Sequence, residues 1–165
     1  SRLGAANLGI GGDRTQHVIW RMQNGNLDGL DNPKPAGAKP PRVAVVMIGT
    51  NNMGDNTPEE IAAGVAGVVG SIHAKLPGAK VLLLAILPRS EKPDALREKV
   101  AATNRLIAPL ADGKSVHFLD SGGGLVQDDG TIRKEIMPDF LHLSPRGYEL
   151  WAGAIAPKLT ELMGD

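Results

Sequence analysis

The chain contains no cysteine, which excludes a disulfide framework, a thiolate metal site and a thiol nucleophile together. An excess of charge is also missing. Lys and Arg number 18, as do Asp and Glu, so no net field steers the protein toward nucleic acid or an anionic membrane. No apolar run reaches the roughly 18 residues of a membrane span, and no signal-peptide pattern opens the sequence. Neither a GxGxxG nor a Walker-type phosphate loop is present, which argues against a nucleotide or phosphate binder. HxH and HExxH pairs are absent, and His17, His73 and His117 are scattered, so a metal site has little support. No internal repeat or low-complexity tract interrupts the 165 residues, a length suited to one domain with one buried core.

What is present reads as alternating strands and helices. Ala5–Ile10 is an apolar run of strand length that closes on Gly11-Gly12-Asp13, and a helix is expected from about Arg14 to Gln23, stopped by Asn24-Gly25. Asp28–Pro41 carries four prolines and reads as a surface loop. Val43–Ile48 and Lys80–Leu87 are continuous apolar runs, the pattern of strands buried on both faces of a parallel sheet. Thr57-Pro58-Glu59-Glu60 combines an N-cap, a first-turn proline and a capping-box glutamate ahead of a helix that stops at Pro77-Gly78. Further elements are a helix over about Asp94–Leu110, a short strand at Val116–Leu119 and a last helix opened by Ser144-Pro145. This alternation predicts an α/β fold, a three-layer α/β/α sandwich around a parallel sheet. Ligand sites in such folds lie beyond the carboxyl ends of the strands. Gly11-Gly12, Thr50-Asn51, Pro88-Arg89 and the Asp139–His142 segment all fall at or near such ends.

Chemistry concentrates in Asp139-Phe140-Leu141-His142. An imidazole titrates near neutral pH and can act as general base, and a carboxylate three positions away can fix its tautomer and steady the imidazolium. The same spacing also suits an ordinary surface ion pair. Asn51 follows a buried strand, where a side-chain amide can face an oxyanion, or serve turn geometry alone. Gly12 can present a closely approached backbone N–H, or simply turn the chain. A nucleophilic serine is hard to find. Ser144 reads as a helix cap, Ser71 lies inside a helix, Ser90 in a charged loop, and Ser115 opens a strand. Ser121, among glycines after a strand, lacks both the G-x-S-x-G elbow and a following helix.

Together, Asn7-Leu8-Gly9-Ile10-Gly11-Gly12-Asp13, Gly49-Thr50-Asn51-Asn52 and Asp139-Phe140-Leu141-His142 resemble three ordered blocks of the SGNH (GDSL-type) hydrolases. The resemblance extends to the catalytic subunits of the intracellular platelet-activating-factor acetylhydrolases through His17–Arg21, Leu87–Pro93 and Asp128-Asp129-Gly130, and so spans nearly the whole chain. It implies a flavodoxin-like sheet of order 2-1-3-4-5 and a Ser-His-Asp triad with Asp139 as acid and His142 as base. It also implies oxyanion donors at the Gly12 N–H and the Asn51 amide, with no cofactor and no metal. The family carries its serine in a Gly-Asp-Ser block on a first strand upstream of the Asn-Leu-Gly segment, yet only six residues precede Asn7 here, and the first of them is Ser1 rather than Met. The expectation is a single hydrolase domain over residues 1–165, N-terminally incomplete, with a gap in the sheet where the first strand belongs.

The function so implied is hydrolysis of small acyl, above all acetyl, esters of a lipid, a sugar or a simple alcohol, by a protein that could also form a homodimer. The rival expectation is a non-catalytic binding or scaffold module of the same fold that has lost its nucleophile. Compartment is left open.

Overall fold

The computed structural model describes residues 4–31 and 39–164; part of the proline-rich loop lies outside them. Three strands, β1 (Val43–Val46), β2 (Lys80–Leu84) and β3 (Val116–Leu119), form one parallel sheet in the order β1-β2-β3. Val45 stands opposite Leu82, and Leu82 opposite His117. Four helices cover it: α1 (Thr15–Gln23), α2 (Pro58–Lys75), α3 (Ala95–Ile107) and α4 (Pro145–Met163). No helix among the described residues is long and apolar enough to cross a membrane.

Residues 81–84 show why the sheet needs helices on both sides, since none is more than 1% exposed. Strand side chains alternate between faces. Val81 and Leu83 therefore pack into a cluster with Ile61, Val65, Val68 and Ile72 of α2 and Val100 and Ile107 of α3. Leu82 and Leu84 point the other way, onto Ile155 and Leu162 of α4. The result is three layers, α1, α2 and α3 on one face and α4 on the other. Burying each such side chain contributes about 1.5–3 kcal/mol.

Local signals set the helix starts. The Thr57 hydroxyl accepts the Glu60 amide at 3.2 Å while Glu60 accepts the Thr57 amide at 2.9 Å, the reciprocal cap expected from the sequence. Asp94 caps α3 by accepting the Arg97 amide at 2.8 Å, and Ser144 caps α4 by accepting that of Gly147 at 3.1 Å.

One expected strand is absent. Ala5–Ile10 is exposed coil, with Leu8 and Ile10 39% and 58% exposed. A strand exists only where a neighbour takes its N–H and C=O groups, and no described strand pairs with β1 on the side away from β2. The segment is held instead by the Arg21 guanidinium, which donates to the Leu8 carbonyl at 3.2 Å and pairs with Asp13. Among the described residues the sheet runs from β1 to β3, and β1 is its edge, unpaired on the side where the gap is expected. The two long apolar runs also leave the ladder earlier than their apolarity suggests, β1 at Val46 and β2 at Leu84. Beyond β2 the ladder is capped by a side chain: the Asn104 amide of α3 satisfies both the N–H and the C=O of Ile86 at 2.9 Å.

Candidate active site

The Asp139–His142 segment is a tight turn that aims two side chains at each other. Phe140 takes a left-handed conformation (φ 58°), and the turn closes with the Phe140 amide donating to the Met137 carbonyl at 3.0 Å. One Asp139 oxygen accepts the amides of Leu141 and His142 at 3.1 and 2.8 Å. The other lies 2.6 Å from Nδ1 of His142. A carboxylate on Nδ1 fixes the ring as the tautomer with its proton there, leaving Nε2 as the basic nitrogen. The imidazole contact, then the two turn amides, hold the Asp139 carboxyl well below the usual carboxylate range. The His142 side chain is 77% exposed, and Nε2 has no hydrogen-bond partner among the described residues.

Gly12 and Asn51 form a second unit. Gly12 has φ 82° in the turn before α1, a conformation open to glycine and strained for other residues. Its N–H has no partner among the described residues. The Asn51 amide nitrogen donates to the carbonyl of the next residue, Asp13, at 2.8 Å, which ties the turn after β1 to the turn before α1. A primary amide has two N–H groups, so this bond leaves one for another acceptor. Gly49 (φ 120°) starts the Asn51 turn, and a Cβ there would stand 2.8 Å from Ile86 and 2.9 Å from Ile61.

Neighbours of the candidate residues hold the two units in place. Buried Asn52 accepts the Thr15 amide at 3.1 Å and donates to Gln16 and Asn56, anchoring the start of α1 to the Asn51 turn. Arg89 donates to the carbonyl and hydroxyl oxygens of Thr50, both at 3.2 Å. The amide of Ser90 donates to the Phe140 carbonyl at 2.9 Å. The loop after β2 thus touches the Asn51 turn with one residue and the Asp139–His142 turn with the next. The sequence marks this loop through Pro88-Arg89 at a strand end and the resemblance through Leu87–Pro93, but neither signals these contacts.

Four of the five described serine hydroxyls are bonded elsewhere. Ser121 is buried and its Oγ accepts the Trp151 indole N–H at 3.0 Å. Ser71 donates to the Gly67 carbonyl, Ser115 to Asp112 and Ser144 to the Glu135 carbonyl; the fifth, Ser90, helps hold the Asp94 carboxyl below its usual range. Gly12, Asp139 and His142 are exposed and Asn51 is partly so. A cleft of about 490 Å³ between α3 and the end of β3, lined by Val100, Asn104, Phe118 and Asp120 among others, includes none of them.

A parallel sheet between helical layers, with an acid–imidazole pair and an amide–glycine pair in the turns around it, makes this a three-layer α/β protein. Residues 1–150 match the GDSL-like lipase/acylhydrolase family, and the chain belongs to it. It is similar to the human platelet-activating factor acetylhydrolase IB subunit alpha2, 45% identical over 149 residues covering 90% of this chain and 61% of that protein. The human alpha1 subunit is 42% identical over 166 residues, all of this chain and 68% of that protein. Among solved structures, a Streptococcus pneumoniae protein described as a platelet activating factor superposes with a TM-score of 0.74 at 28% identity, over 93% of this chain and 72% of that one. The chain therefore spans about three fifths to two thirds of the length of the curated relatives it matches.

Proposed function

We propose that the protein to which this sequence belongs is a serine ester hydrolase of small acyl groups. Nε2 of His142 takes the proton from a serine hydroxyl as its Oγ attacks the ester carbonyl carbon, and the same proton then passes to the departing alcohol. Water, deprotonated in turn by His142, attacks the acyl-serine and releases the acid. Asp139 keeps the ring oriented and stabilises the imidazolium. The Gly12 N–H and the free N–H of Asn51 hold the oxyanion of each tetrahedral intermediate. The serine lies upstream of Ser1, a reading supported by the other bonds of four of the five described serine hydroxyls. The acetylhydrolase names of the relatives favour acetyl as the acyl group, carried by a lipid, a sugar or a simple alcohol.

The observation that carries the proposal is the 2.6 Å contact between Asp139 and Nδ1 of an exposed His142 whose Nε2 is unpartnered among the described residues. The test is hydrolysis of p-nitrophenyl acetate by this chain and by the protein extended upstream to the length of its relatives. The extended protein is expected to turn over and to be labelled by an organophosphonate on a serine upstream of Ser1. The 165-residue chain is expected to match the no-enzyme control. An extended protein without turnover, or labelling at Ser121, defeats the proposal.

A further inference from the structure

We propose that Arg97, in the first turn of α3, is a positioning residue for the Asp139–His142 pair, acting through the backbone contact between Ser90 and Phe140. The inference rests on the hydrolase reading above. Three edges of one guanidinium grip three carbonyls: Nε donates to Arg89 at 2.9 Å, and the two terminal nitrogens to Ser90 and Gly130. A planar fork with fixed donor directions suits this; an ammonium has three donors but not that planar spread.

What the fork holds is a conformation the chain resists. Ser90 has φ 71° and Phe140 φ 58°, and these are the two described non-glycine residues in the left-handed region. Such residues persist only when their surroundings over-determine them. Ser90 is fixed on both sides of its backbone. Its carbonyl is taken by Arg97 and its amide reaches the Phe140 carbonyl, while its side chain helps hold the Asp94 carboxyl below its usual range. Arg97 and Asp94 are themselves joined by the helix cap, in which Asp94 accepts the Arg97 amide at 2.8 Å. Phe140 is the residue between Asp139 and the Leu141 and His142 amides that bond its carboxylate. The guanidinium also ties in the Gly130 turn, where a Cβ would stand 2.8 Å from Pro93. Releasing Arg97 frees Ser90 to leave its left-handed conformation, and the turn that aims Asp139 at His142 loses its outer support.

The experiment compares wild type with Arg97→Lys and Arg97→Met in the upstream-extended protein, reading kcat, KM, melting temperature and amide hydrogen exchange. A small misplacement of a catalytic group lowers the rate by up to about 10²-fold. The expected result for Arg97→Lys is a kcat lower by about 10- to 100-fold with KM within about twofold. The Ser90, Leu141 and His142 amides should exchange about tenfold faster while core amides of β2 keep their protection. Failure of Arg97→Met to fold leaves Arg97→Lys as the deciding variant. A kcat within about twofold of wild type, or a loss accounted for by the fraction unfolded, overturns the inference. If wild type itself shows no turnover, the proposed function has failed, and exchange decides the positioning claim. Unchanged Leu141 and His142 protection in Arg97→Lys overturns it, and selective loss upholds it.

Discussion

Around Asp139 and His142, the turn rests on a buried cluster of Leu87, Leu125, Ile132, Ile136 and Met137, against which Phe140, Leu143 and Trp151 pack. Lys134 lies 5.8 Å from the Phe140 ring centre, and Ser144 begins α4 with its amide on the Ile136 carbonyl at 2.8 Å. Around Gly12 the picture reverses. Leu8, Ile10, Trp20, Val45 and Met47 are all at least 39% exposed, and β1 presents an unpaired edge among the described residues. Polar contacts hold the turns of this second region, Arg21 on Asp13 and Leu8, Asn51 on Asp13, and Asn52 on Thr15, while α1 behind them packs through Met22, Val18 and Ile19. A turn can thus be oriented mainly by packing beneath it or mainly by hydrogen bonds. Losing one contact should leave the buried cluster under the first turn intact even where the turn itself is loosened, whereas the turns of the second region depend on each bond.

The largest effects should come from the residues that meet the reacting atoms. In the upstream-extended protein, His142→Ala is expected to lower kcat by about 10³-fold or more, since it removes the base, and Asp139→Asn by up to about 10⁴-fold, since it favours the wrong tautomer. Asn51→Ala should lower kcat by about 10²–10³-fold. Because Asn51 also bonds the Asp13 carbonyl, it should disturb the Gly12 turn as well. Exchange of amides near Gly12 is expected to rise in Asn51→Ala and stay at wild-type level in His142→Ala. Steady-state kinetics with exchange on the same samples checks both; equal disturbance of both turns by the two variants would erase the contrast between a packed and a bonded half.

Legibility in the sequence followed the range of the interactions. Thr57 and Ser144 could be recognised as caps because each bonds an amide three residues on. Asp139 and His142 could be paired for the same reason. Val81–Leu84 announced a central strand because burial on both faces leaves no polar position. Ala5–Ile10 has the composition of a strand, but strand formation depends on a partner remote in sequence, which composition does not report. Arg97 was invisible for a related reason: the carbonyls it holds belong to residues 89, 90 and 130, and only the tertiary fold brings the third beside the first two.

An intermediate effect is expected at the open edge. Val45 is 46% exposed on β1 and Met47, just beyond it, 41%. An apolar strand edge with unpaired backbone groups is a template for association. For the isolated 165-residue chain, Val45→Lys should reduce concentration-dependent self-association, followed by light scattering, while leaving the melting temperature of the dilute protein nearly unchanged. Scattering that does not respond to the lysine would place the sticky surface elsewhere and weaken the view of this region as incompletely packed.

The smallest effect concerns a carboxylate that, like Asp139, is held low by hydrogen bonds, but at the other end of the strands. Asp112 closes the turn before β3, one oxygen accepting the amides of Lys114, Ser115 and Val116 at 2.8 Å and the other the Ser115 hydroxyl at 2.6 Å. The hydroxyl first, then the amides, hold its carboxyl well below the usual range. A depressed folded-state pKa favours folding above the ordinary carboxylate value of about 4. That contribution is lost as the pH falls below this value toward the folded pKa. Asp112→Asn should therefore melt slightly below wild type at pH 7, with the gap narrowing at pH 3, and the difference should be modest because the group is exposed. Ester hydrolysis by the extended protein should not change, since Asp112 stands at the N-terminal end of β3 and the site at the carboxyl ends of the strands. A gap equal at both pH values would mean that shape, not charge, is what Asp112 contributes. A loss of hydrolysis would mean that the two ends of the sheet are coupled more tightly than their separate hydrogen-bond networks imply.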